Sequence, residues 1–119
     1  MKNPLVLAYI GDTIYDLYFR MRAVKEGEAH VHELNKKVSA EVNAHAQSVA
    51  AARIEELLSE EEADIFRRGR NAKSVTSPKN MDIVDYRRAT GLEALMGYLY
   101  LTGQNERIDE LMDMIMERK

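Results

Sequence analysis

Two acidic residues stand where packing alone would not put them. Asp12 lies within an apolar run, preceded by Leu5, Val6, Leu7, Ala8, Tyr9 and Ile10 and followed by Ile14, Tyr15, Leu17, Tyr18 and Phe19. Glu93 lies within ATGLEALMGYLYL, beside Leu92, Ala94, Leu95, Met96 and Leu99. A helix that is apolar on every side is a central one, and an ionised carboxylate there is costly unless it is paired or ligating. Asp16 falls one turn after Asp12, so two like charges share a face, which is unfavourable without a cation or donor beside them. Gly11 adjoins Asp12, and Gly91 and Gly97 flank Glu93. Glycine inside a helix costs about 1 kcal/mol relative to alanine, so each marks close approach by another helix or a ligand. If the two helices cross at these glycines, the two acids converge.

The chain contains no cysteine, which excludes a disulfide framework, a thiolate zinc site and a cysteine nucleophile. Oxygen donors alone suit a hard divalent cation, Mg²⁺ above all. A cation that activates water and stabilises charge on a phosphate and its leaving oxygen would serve phosphodiester hydrolysis. The alternative use of the same residues is separate pairing of Asp12 and Glu93 with arginines. His30, His32 and His45 form no metal set, because positions two apart on a helix do not face each other; they read as surface or capping residues. The seven methionines read as core filler, and Tyr15, Tyr18, Tyr98 and Tyr100 as packing residues.

The formal charge of −3 over 119 residues argues against a polyanionic partner only while it is left as a sum. Between Arg67 and Arg88 there are seven basic and two acidic residues, a net +5, which leaves −8 for the remainder. One basic surface on an acidic body suits a polyanion.

These residues need helices to position them. Asn3 and Pro4 begin a helix running to about Val24 and ending near Gly27. Residues 30 to 58 read as helical throughout, with a possible break near Ser39. Ser59 and Glu62 form a capping box for a short helix that stops at Gly69. The stretch RGRNAKSVTSPKN has no apolar periodicity and reads as a loop, long enough to be functional or mobile. Asp82 opens a helix to about Thr102, closed by Gly103, and an amphipathic helix follows from about Asn105. The expectation is an all-α fold of five to seven helices in one domain spanning residues 1–119. No stretch is long and apolar enough to span a membrane. The start lacks a signal-peptide cleavage pattern, so a cytoplasmic protein is expected.

Together, LAYIGDTIYD, RRGRNAKS and YRRATGLEALMGYLYL resemble the Mini-ribonuclease III family, the compact bacterial branch of ribonuclease III without a double-stranded-RNA-binding domain. The likeness runs over nearly the whole chain. It implies an all-helical ribonuclease III-type endonuclease domain, acting as a homodimer on double-stranded RNA with Mg²⁺. The implied task is trimming 23S ribosomal RNA precursor termini, with a ribosomal protein or pre-ribosome as a further partner. Asp12 matches the aspartate of the LGD signature and Glu93 the glutamate of the FEAL motif, which makes them the expected catalytic and metal-binding pair. Two further acids of the larger enzymes are replaced here by Ala8 and Thr90, leaving fewer direct ligands. This motivates the alternative of an RNA-binding or ribosome-associated module that keeps the fold without cleaving. The resemblance also implies an outer-sphere role for Asp16 and a dimer contact for Tyr9. Backbone contacts to RNA are expected from Arg67, Arg68, Arg70, Asn71, Lys73, Lys79 and Arg87.

Overall fold

The computed structural model describes residues 2–27, 30–72 and 82–117. Among these residues six helices run in order: α1 (Pro4–Lys25), α2 (Val31–Val42), α3 (Ala44–Ile54), α4 (Glu60–Asn71), α5 (Ile83–Leu101) and α6 (Asn105–Met116), with a 3₁₀ turn at Glu55–Leu57 between α3 and α4. No strand occurs among the described residues. The all-helical fold is as expected.

The helix starts follow from local chemistry. The Asn3 side chain accepts from the Leu5 backbone N–H and Pro4 occupies the first turn of α1, where a missing N–H costs nothing. Ser59 and Glu62 close a reciprocal capping box on α4, and Asp82 caps α5 by accepting from Val84 and Asp85. Gly27 and Gly103 take positive φ, 95° and 73°, the left-handed turn that halts α1 and α5.

Three expectations change. The break in the 30–58 stretch falls at Asn43, not Ser39. The Asn43 side chain donates to the carbonyls of Ser39 and Ala40 while accepting from the Ala46 N–H, so it closes α2 and opens α3. Helix α4 continues past Gly69 to Asn71, because Gly69 is spent on packing: a Cβ there would lie 2.8 Å from the Ala94 Cβ and 2.9 Å from the Gly91 Cα. Helix α1 is not covered all round. Leu7, Ala8, Tyr15, Phe19 and Ala23 are buried, but Val6, Tyr9, Leu17, Met21 and Val24 lie exposed. Of the expected loop, residues 73–81 lie outside the described residues, and with them Lys73 and Lys79.

Helix α5 is the axis of the molecule, packed by α1, α3, α4 and α6. Its Leu92, Leu95, Met96 and Leu99 join Tyr15 and Phe19 of α1, Ala50, Ala51 and Ile54 of α3, Phe66 of α4, and Ile108, Leu111 and Met112 of α6 in one core. Outside that core, Arg107 of α6 donates to both carboxylate oxygens of Glu62, each at 2.9 Å, and to the Leu57 carbonyl. The acidic stretch 55–64 is therefore not wholly solvated, since Glu62 is a buried anchor whose carboxyl Arg107 holds below its ordinary range.

Candidate active site

Glycine lets α1 and α5 cross closely enough for their acids to meet. A Cβ on Gly11 would fall 1.6 Å from the Glu93 carbonyl oxygen, and one on Gly97 would fall 1.9 Å from the Leu7 carbonyl oxygen. Both neighbours are backbone, so neither position has room for any other residue. Asp12, next to Gly11, and Glu93, whose own backbone Gly11 meets, are brought together by this contact. Their carboxyls come within interacting reach of each other. Asp12 is exposed and Glu93 half-buried, so the pair stands at the surface end of the crossing.

Burial, then the Asp12 carboxyl, push Glu93 up to about 8 from an ordinary value of 4.5. Two carboxylates this close oppose each other's ionisation, and a cation between them would reverse that opposition. No arginine or lysine pairs with either acid in the ion pairs of the described residues. The separate-arginine alternative finds no support there. Among the described residues no group of three or more acidic or histidine side chains is placed to hold a metal ion. The two positions where further ligands were thought absent are filled accordingly. Ala8 is buried, and Thr90 turns its hydroxyl back to the Tyr86 carbonyl at 3.0 Å.

The flanking residues fall into place around the pair. Asp16, one turn along α1, pairs with Arg20 at 2.8 Å. Tyr15 is 1% exposed, with a hydroxyl that has no hydrogen-bond partner; burial, then Glu41, hold it un-ionised. Sequence reasoning missed Gln47, which is 3% exposed on α3 and whose Nε2 donates to Glu93 Oε2 at 3.4 Å. A glutamine among alanines in a helix carries no periodic or compositional signal, and only the packing of α3 on α5 brings it to the acids.

The basic residues gather at the end of α4. Arg67, Arg68 and Asn71 line an open groove of about 480 Å³ against Asn3, Pro4 and Leu5 at the start of α1. Asp64 pairs with Arg67 at 2.6 Å and Arg68 at 3.0 Å, so one acid is shared between two exposed guanidinium groups. Arg70, Asn71 and Arg87 line a neighbouring groove of about 330 Å³ with Glu55, Val84 and Arg88. The structure thus brings five of the seven expected RNA contacts to one end of the molecule. Tyr9, 79% exposed on α1, stands free of the core. His45 is exposed and pairs with Asp85 at 2.9 Å, and His30 lies at the cap of α2, both as expected.

The ribonuclease III domain family matches residues 5–104. A Mini-ribonuclease 3 of Thermoanaerobacter is 49% identical over 97% of this chain and 81% of its own length. One from Clostridium tetani is 48% identical over 96% of this chain and 76% of its own. A Fusobacterium nucleatum protein of known crystal structure superposes with a TM-score of 0.87 at 34% identity, covering 98% of this chain and 93% of that one. With its two acids joined at a glycine crossing on an all-helical frame, the chain belongs to the ribonuclease III family, among the Mini-ribonucleases 3, and is an endoribonuclease.

Proposed function

We propose that this chain cuts double-stranded RNA in a Mg²⁺-dependent reaction, as a homodimer in the cytoplasm, in maturing the termini of 23S ribosomal RNA precursors. Residues 1–119 act as one catalytic domain. The observation that carries the reading is the meeting of Asp12 and Glu93 where α1 and α5 cross. The donor set fits a hard divalent cation: two carboxyls, no sulfur, and no arginine paired with either acid among the described residues. When bound, the cation supplies activation of water and stabilisation of charge on the phosphate.

Asp12 and Glu93 hold it. With no carboxylate at positions 8 and 90, these two acids carry the binding, and water completes the remaining coordination. Asp16, whose charge Arg20 already balances, acts outside the pair by orienting water. Arg67, Arg68, Arg70, Asn71 and Arg87, with Lys73 and Lys79, grip phosphates. Such contacts position a duplex without reading sequence, and A-form RNA offers a protein mainly shape, phosphates and 2′-hydroxyls. Tyr9 and the apolar stripe of Val6, Leu17, Met21 and Val24 form the face that a second copy covers, which supplies a second site for the antiparallel strand. A ribosomal protein or the pre-ribosome would present the RNA.

The test is incubation of the purified protein with a long RNA duplex, its separated strands and a DNA duplex of the same sequence, each with and without Mg²⁺. Cleavage confined to the RNA duplex with Mg²⁺ is expected. Equal cutting of the single strands, or cutting that survives chelation, would overturn the assignment.

A further inference from the structure

We infer that Gln47 is a positioning residue for the acid pair: its side-chain amide holds Glu93 in the orientation that receives the cation. The inference rests on the two-acid reading of the site above. Gln47 is a polar side chain at 3% exposure, and its Nε2 donates to one oxygen of Glu93. A buried amide left without partners is costly, and here the partner is one of two carboxyls that must do the work of a larger ligand set.

The choice of glutamine has a chemical sense. A lysine or arginine in the same place would hold Glu93 as well, but would cancel the negative charge that draws the cation. A glutamate would add a third negative charge to a pair that already resists ionisation. An amide donates a hydrogen bond and carries no net charge, so it orients Glu93 while leaving the pair's charge for the metal. It occupies Oε2 and leaves Oε1 free of Gln47. At 3.4 Å the contact is long, as hydrogen bonds in uncomplexed sites often are.

Helix α3 is fixed against α5 at points either side of Gln47, which turns one hydrogen bond into a positioning device. His45 pairs with Asp85 at 2.9 Å, and Ser48 also hydrogen-bonds Asp85. Beyond the end of α3, Glu55 pairs with Arg88. Between these ties, Ala50, Ala51 and Ile54 pack in the common core with Leu92 and Leu95. The register of α3 is therefore set by contacts other than Gln47, and the glutamine can be altered without releasing the helix.

The probe is Mg²⁺ alone, titrated calorimetrically into the intact protein without RNA. The parent is compared with Gln47→Met, which keeps the length and volume but not the amide, with Gln47→Ala, and with Glu93→Gln. In the glutamine variants that keep the parent's helical circular dichroism, Mg²⁺ binding weakens about tenfold or more, as for other groups that orient metal ligands, while duplex binding measured without divalent cation stays within about twofold. Unchanged Mg²⁺ affinity in a folded Gln47 variant, with binding lost in Glu93→Gln, overturns the role of Gln47 alone. Unchanged affinity in Glu93→Gln as well overturns the two-acid reading and this inference with it. A second measurement needs no variant at position 47. In ¹⁵N-labelled parent protein the Gln47 side-chain amide resonances shift with Mg²⁺ at the same midpoint as binding, and resonances that stay fixed through saturation would contradict the inference.

Discussion

In the folded, metal-free chain Glu93 is pushed up to about 8 by burial first and Asp12 second, whereas an unfolded glutamate ionises near 4.5. The folded form therefore binds more protons than the unfolded form between these values, and stability falls as pH rises through that window. Metal-free protein should melt at a lower temperature at pH 8 than at pH 5, and Glu93→Gln should flatten that decline; parallel melting profiles for parent and variant would contradict the shift. If Mg²⁺ binds this pair as proposed, it displaces the same proton, and calorimetric titrations at pH 7 in buffers of different ionisation enthalpy should show proton release on binding. Release that is unchanged in Glu93→Gln would place the proton elsewhere. These residue-scale properties were partly legible in the sequence, because a lone acid in an apolar helix is conspicuous. Gln47 was not, since its meaning comes from what α3 packs against.

At the scale of elements, the fold depends on how closely helices approach. Gly97→Ala puts a methyl 1.9 Å from the Leu7 carbonyl oxygen, which forces α1 and α5 apart. It should cost about 3 kcal/mol or more, the upper end for overpacking, read as a shift of the urea midpoint, and should separate Asp12 from Glu93. Gly103→Ala meets nothing within 4 Å and strains only a positive φ, so its cost should be about 1 kcal/mol. Equal costs for the two would mean that the crossing is not close. The sequence showed that glycines flanked the acids, and their closeness to a partner helix followed from that. It did not distinguish Gly69, a packing glycine, from Gly103, a turn glycine, because both stand near the end of a helical pattern and the difference lies in whether another helix stands against them. The break at Asn43 was hidden for a similar reason: its side chain serves two helices at once, a role visible only in the hydrogen bonds it makes.

For the whole molecule, the proposed function gives the exposed side of α1 and the basic end of α4 separate tasks. Tyr9→Glu should shift the protein to monomer in analytical ultracentrifugation and lower duplex cleavage at concentrations where the parent is dimeric; a dimer that persists would move the interface off this face. Arg67→Glu with Arg68→Glu should weaken duplex binding and reduce the slope of log affinity against log salt by about one per lost phosphate contact, with the melting temperature little changed because both guanidinium groups are exposed. The most direct measurement is single-turnover cleavage of an RNA duplex, in saturating Mg²⁺, by the parent, Asp12→Asn and Glu93→Gln. Each variant should lose about a thousandfold in rate, corresponding to about 4 kcal/mol of barrier, while binding the duplex as the parent does; cleavage within tenfold of the parent by either would contradict the two-acid site.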